Sequence, residues 1–282
     1  MHAIADELEH AQPEDPYWIF SAEMTRVAAM FIGRSVAEAL AKSWELLHTS
    51  GRTRSFRIVR GLLLGLHADM LTALGEYEEA LAVLDNAVTH PGHAVCFPMQ
   101  RSRTLLQMGR EREVIDSTNA CVALHDEHCL RTLTQVLTVR AVAFLRLGGE
   151  KRALQSMESA FRLIQRTGGS MMPFLMIPFS DTDRLLDRLS ATTPDLASAA
   201  ATTRQMLPKI AAPSARDDAF STLTATEREL AYLLTSSLGI PEIARARNVS
   251  VNTVKSQVRS IYGKLGVSSR EDAVALLQRP DE

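Results

Sequence analysis

Three cysteines, Cys96, Cys121 and Cys129, are all that this chain contains, and they form no Cys-x-x-Cys pair. The first residues, MHAIADELEH, are acidic and lack the apolar segment of a secretory signal. An odd cysteine count without an export signal predicts reduced thiols and a cytoplasmic protein. Long apolar runs are missing as well. The stretch closest to a membrane-like composition, TGGSMMPFLMIPFS at 167–180, is too short to span a bilayer and carries two prolines, so no membrane partner is expected. Alternating runs of Val, Ile and Thr are almost absent, which argues against a sheet. No Gly-x-x-x-x-Gly-Lys-Ser/Thr loop occurs, so no phosphate cradle is visible. No nucleophile, base and orienting group stand together, and the chain is not expected to be an enzyme; no catalytic residue is assigned.

What is present is apolar content of 46%, normal for a globular protein, in a chain of 282 residues, long enough for two domains or one large one. The net charge of −2 does not advertise a polyanionic partner. Its distribution says more. Residues 221–282 hold eight Lys and Arg against seven Asp and Glu, yet from Arg245 to Lys264 there are five basic residues and no acid. A local basic stripe can bind phosphate even when the total is unremarkable.

Helical periodicity runs through the chain, as in Ala80, Leu81, Leu84, Ala87 and Val88. A layout also recurs. ALGEYEEALAVLDNAVTHP (73–91), QMGREREVIDSTNACVAL (107–124) and RLGGEKRALQSMESAFRLI (146–164) each place a glycine before a helix; Gly75 and Gly109 are 34 residues apart, and Gly148 follows 39 later. A weaker copy, FIGRSVAEALAKSWELL, lies at 31–47. Each glycine permits a tight inter-helix turn, and the small residue after it permits close helix approach. These copies resemble tetratricopeptide repeats, helical hairpins that must stack to bury their apolar faces. Beyond residue 167 the period fails: 173–189 reads as a capping segment with a short helix, and another helix is expected from about Asp195 to Met206. The proline-containing segment 207–222 reads as a linker. The expected architecture is all-α: a tetratricopeptide-like helical-hairpin solenoid (1–206), the linker, and a small C-terminal domain (223–282).

In that last domain Thr224 and Glu227 form a capping box, so a helix should begin at Ala225, with Leu230, Leu233, Leu234 and Leu238 as its apolar side. A second helix should begin at Pro241 and end at Asn248, a residue that accepts the left-handed conformation. Ser250 can cap a third helix whose seam is Val251, Val254, Val258, Ile261 and Leu265. The tight junction predicts a helix-turn-helix. With Val254 at the buried centre, Asn252, Ser256, Arg259 and Gly263 point outward, Lys255 lies on one shoulder, and Thr253, Gln257 and Ser260 lie on the other flank. Short side chains let a helix lie deep in a major groove, while Lys and Arg reach base edges or phosphates. Lys264 ends the same basic stretch. Composition alone would leave this as a solvated helix face; the three-helix layout reverses that judgement.

LTATERELAYLLTSSLGIPEIARARNVSVNTVKSQVRSIYGKLGVSSREDAVALL resembles the LuxR-type helix-turn-helix of bacterial transcription regulators. The resemblance implies binding of double-stranded DNA by a homodimer. It places Lys255, Ser256 and Arg259 at base-reading positions and Thr253 and Gln257 near the phosphate backbone. It further implies a dimerising last helix, capped by Ser269, through Ala273, Val274 and Leu277; packing of these residues on their own domain is the competing expectation. The chain departs from the family's pattern at Gln257, often His, and at Ser237, often Gly. A tetratricopeptide-like array before such a domain resembles the C-terminal half of MalT-like regulators, and RTGGSMMPFL at 166–175 resembles the segment that follows their repeats. The array would then sense a peptide, a protein or a small molecule and gate DNA binding or dimerisation. The alternative is a repeat scaffold whose last domain serves protein interaction.

Histidine and cysteine cluster twice, at His90, His93 and Cys96 and at Cys121, His125, His128 and Cys129. On a single helix Cys121, His125 and His128 would lie within about 60° of one another, a geometry open to a soft metal or haem. Such residues are also ordinary at helix seams, and the expectation is no metal and no cofactor.

Overall fold

The structure, a computed structural model, describes residues 1–33, 35–49, 57–85, 87, 89, 91–93, 95–168, 171–211, 223–236 and 238–278. Among these residues there are α-helices and short 3-10 turns and no strand. The contacts divide the chain into two compact units, one of Met1–Glu76 with Ser214–Glu282 and the other of Tyr77–Pro213. The division expected from the sequence cuts elsewhere. Residues 207–211 of the expected linker continue a helix, with Leu207 buried, and 212–222 lie outside the described residues.

The second unit begins with α5 (Tyr77–Asp85), α6 (Phe97–Gln107) and α7 (Glu111–Ala123). It continues with α8 (Leu130–Arg146), α9 (Glu150–Thr167), α10 (Phe179–Thr192) and α11 (Pro194–Ala211). The hairpins α6–α7, α8–α9 and α10–α11 pack one on the next. Their shared core includes Leu106, Val142, Met157, Phe161, Leu186 and Leu196, all 1% exposed or less. Phe161 meets Phe174 with ring centroids 5.8 Å apart. A buried cation also joins α7 to α8: Arg140 Nη1 donates to the Ile115 carbonyl, Thr118 Oγ1 and Asn119 Oδ1 at 2.9, 2.8 and 3.1 Å. Three neutral acceptors leave that charge hydrogen-bonded, and burial pulls its pKa below the usual arginine value.

The recurring glycines do what the sequence asks of them. Gly75, Gly109 and Gly148 have φ of 81°, 71° and 79°, in the left-handed region that side chains avoid. At each turn the next residue's N–H reaches back over five residues to close the helix: Glu76 to Leu71, Arg110 to Leu105 and Gly149 to Phe144, at 2.9, 2.9 and 2.8 Å. Five residues beyond each glycine stand Ala80, Val114 and Ala153, all fully buried. The longer second interval has a local cause. Helix α8 has 17 residues where α6 has 11. The weaker copy is a different turn. Gly33 sits at φ −74°, and a Cβ there would lie a tight 3.1 Å from the Ala29 carbonyl oxygen, so space rather than handedness favours glycine.

The first unit contains α1 (His2–Ala11), α2 (Pro16–Ile32), α3 (Val36–Thr49) and α4 (Arg57–Ala73), together with the C-terminal helices α12 (Ala225–Leu234), α13 (Ile240–Ala246), α14 (Val251–Leu265) and α15 (Arg270–Gln278). Pro16 opens α2, whose first free N–H is capped by Asp15 at 2.8 Å. Within its core the hydroxyl of Ser43 lies 2.7 Å from His67 Nδ1, and burial pushes the His67 pKa down to about 3, so the ring stays neutral. Helices α12 and α15 both pack on α3.

Candidate nucleic-acid interface

Helix α12 begins at Ala225, and its capping box is reciprocal: the Thr224 N–H donates to Glu227 Oε2 at 2.8 Å, while the Glu227 N–H donates to Thr224 Oγ1 at 3.3 Å. Leu230, Leu233, Leu234 and Leu238 are all buried. Helix α13 starts one residue before Pro241, and the Gly239 N–H is held by the Glu242 carboxylate at 2.7 Å. Its end is the turn the sequence predicts: Asn248 has φ of 54°, and the Val249 N–H returns to the Ala244 carbonyl at 3.0 Å. Ser250 then caps α14 by accepting from the Thr253 N–H at 3.0 Å.

Helix α14 buries Val254, Val258 and Ile261. Val251, expected in the same seam, is instead exposed, and Leu265 is half-buried. On the other side Asn252, Thr253, Lys255, Ser256, Arg259, Ser260 and Gly263 are exposed. Gly263 has nothing within 4 Å of where a Cβ would stand, so the stripe remains shallow there.

Several of these side chains are already held. Gln257 is half-buried and accepts from Arg247 Nη1 at 3.0 Å, which ties the long helix to the turn before it. Thr253 Oγ1 lies 2.7 Å from the Ser250 hydroxyl, so both sit at the helix entry with their positions linked. Ser260 donates to Glu227 Oε1 at 2.7 Å, and Lys264 forms an ion pair with Glu227 Oε2. The Lys264 ammonium, the Thr224 amide and the Ser260 hydroxyl together hold the Glu227 carboxyl at a pKa of about 2. Lys264 therefore belongs as much to the clamp between α12 and α14 as to the basic stripe. Spacing along the sequence gave no sign of this clamp, since Glu227 and Lys264 are 37 residues apart. Sequence spacing also missed Arg270, which donates to the carbonyls of Leu234 and Ser236 at 2.8 and 2.7 Å and so closes the end of α12. The departure at Ser237 lies outside the described residues.

In the last helix the Asp272 N–H donates to Ser269 Oγ at 3.0 Å, the cap expected there. Ala273 is fully buried inside its own unit and Val274 is half-buried. The Leu277 side chain lies outside the described residues.

Fold and site together define a helix-turn-helix followed by a fourth helix, with a polar, acid-free stripe on its longest element. Residues 221–277 match the family model described as "Bacterial regulatory proteins, luxR family", and this segment is a LuxR-family helix-turn-helix domain. Among curated proteins the chain is similar to a probable transcriptional regulatory protein, SgaR of Hyphomicrobium methylovorum, with 41% identity over 73 residues. That match covers 26% of this chain and spans only 35% of the relative's own length. No solved structure matches the chain significantly. Among the described residues no helix is long and apolar enough to cross a membrane.

Proposed function

We propose that the protein is a transcription regulator that binds duplex DNA with α14 in the major groove. The carrying observation is the outward stripe of Asn252, Lys255, Ser256 and Arg259, exposed together on one face of a helix whose seam and both ends are fixed. Lys255 and Arg259 meet no acidic partner among the described residues, so both remain available to phosphates or guanine edges. Ser250, Thr253 and Gln257 lie at the entry and flank, where backbone contacts position a reading helix. Lys264 completes the stripe if Glu227 shares it. The homodimer rests on α15, with Val274 rather than the buried Ala273 as the residue still partly open.

The effector reading rests on the second unit. An open hollow of about 720 Å³ is lined by Arg112, Ile115, Asp116, Phe144, Lys151 and Arg152, a mixture of apolar wall and charge of both signs suited to a peptide or small molecule. A ligand there changes DNA affinity only if it binds one arrangement of the chain more tightly than another.

The test is selection from a randomised duplex pool by the full chain, followed by gel-shift titration over a salt series. A recovered consensus that is an inverted repeat, with affinity falling as salt rises, is expected. Arg259→Ala should weaken the selected site by about 1–3 kcal/mol. A folded chain that enriches no sequence and shifts no duplex at low salt would overturn the proposal in favour of a protein-binding scaffold. Adding cell extract at matched dimer fraction tests the effector; unchanged affinity would remove the gating role.

A further inference from the structure

We propose that His93, Cys96, Cys121 and His128 form a four-coordinate site for one Zn²⁺ ion in the helical array. These residues come from separate places: His93 from the turn Pro91–His93, Cys96 from the residue just before α6, Cys121 from the last turn of α7, and His128 from the loop between α7 and α8. The two Sγ atoms are 3.6 Å apart, and His93 Nδ1 is 3.6 Å from each of them. One donor atom from each of the four residues falls within 4.8 Å of every other. Tetrahedral zinc with ordinary Zn–S and Zn–N bonds spaces its ligand atoms about 3.3–3.8 Å apart. Three of the separations already lie in that range, and the rest, none above 4.8 Å, require an inward shift of no more than about 1.5 Å.

His128 supplies the observation that points to a ligand. Its side chain is 2% exposed, and its Nε2 is buried without a hydrogen-bond partner. Its Nδ1 lies 2.9 Å from the Cys129 carbonyl, an acceptor, so Nδ1 carries the proton and Nε2 presents a lone pair. An unpaired buried acceptor is costly unless something binds it. A backbone carbonyl that fixes the ring of a metal-binding histidine from behind is a recurrent outer-shell arrangement. The turn that carries His93 is braced in the same way: Thr132 donates to the His93 carbonyl at 2.9 Å, and the Cys129 N–H donates to the Gly92 carbonyl at 2.6 Å.

Two thiolates with two imidazoles suit Zn²⁺, whose filled d shell accepts a tetrahedron without preference. Binding replaces two S–H bonds with two Zn–S bonds and releases two protons to solvent, with no change of oxidation state. A Cys96–Cys121 disulfide would use the sulfurs but leave the His128 lone pair buried and idle. The arrangement is also not the one suggested by helical spacing. His125 and His128 lie beyond the end of α7, and His125 and Cys129 are outside the four.

The experiment uses the reduced, chelator-treated full chain titrated with Co²⁺ as a spectroscopic stand-in and then with Zn²⁺. Expected is one ion per chain, the visible absorption of tetrahedral Co²⁺ with a thiolate charge-transfer band, its displacement by Zn²⁺, and a thermal midpoint raised by metal. Cys96→Ser/Cys121→Ser and, separately, His93→Gln should abolish the spectrum and the metal-induced stabilisation. His125→Gln and Cys129→Ser should keep both. His93 is only half-buried, so its variant still reads the site if the double variant fails to fold. A wild-type chain that is helical by circular dichroism yet gives no tetrahedral spectrum overturns the proposal. So does a spectrum that survives His93→Gln, or Cys96 and Cys121 joined as a disulfide in protein kept under reducing agent.

Discussion

Helices α14 and α8 have similar lengths, 15 and 17 residues, and opposite lives. Helix α8 buries ten residues between Leu133 and Ala143, on all sides, including Thr134, Thr138 and Arg140. Helix α14 buries three, all on one seam. A helix enclosed all round has spent its surface on its neighbours, and even its polar groups answer inward, as Arg140 does to Thr118. A helix held by one seam leaves its other face open to solvent or to a partner. The difference teaches where to look for function: in an outward stripe on α14, and in the array only where polar groups converge without satisfying one another.

The sharpest way to break the comparison is to set the two faces of α14 against each other. Ile261→Ala removes a fully buried side chain from the seam and should cost about 2–5 kcal/mol. Arg259→Ala on the exposed face should leave stability within about 0.5 kcal/mol while weakening DNA binding by about 1–3 kcal/mol. Urea unfolding followed by circular dichroism, alongside gel shift, separates the two; equal stability losses would mean that α14 has no free face.

Next in size is the Glu227 clamp. Its carboxyl titrates at about 2 in the folded protein, against an ordinary value near 4.3 in the unfolded chain. A depressed pKa gives stability that is complete above the unfolded value and lost as pH falls toward 2. Because the pair is partly open to solvent, the contribution should be on the order of 1 kcal/mol. Glu227→Gln should therefore lower stability most near neutral pH and match the parent near pH 2. A difference between the two proteins that does not change with pH would remove the clamp.

The smallest effect belongs to the array's turns. A Cβ at Gly148 would meet nothing within 4 Å, so Gly148→Ala should cost only the left-handed conformation, about 1 kcal/mol. Gly109→Ala, equally open, should cost the same by thermal unfolding. Markedly unequal losses would show that the turns are not equivalent.

Much of this was legible in the residues. The spacing of Leu230, Leu233 and Leu234, the Thr224–Glu227 pair, and the Asn248 and Ser250 positions set helix boundaries that the structure keeps within a residue. The reason is range: caps, seams and turns are made by residues within five positions of one another. Val251 shows the limit, since it falls on the seam by period yet stays exposed, and period alone does not say how far along a helix its neighbours reach. Domain division was less legible, because the pairing of Met1–Glu76 with Ser214–Glu282 involves segments far apart in the chain.

By itself the sequence determined an all-helical chain, hairpins closed by left-handed glycines, and a LuxR-type helix-turn-helix with Lys255, Ser256 and Arg259 on one exposed helix face. Only the tertiary structure decided that Lys264 and Ser260 are drawn to Glu227, that Arg270 closes α12, and that His93, Cys96, Cys121 and His128 meet. Local periodicity fixes which side of a helix a residue occupies. Which distant residues share a space is settled by how helices pack, and no spacing along the chain encodes that distance.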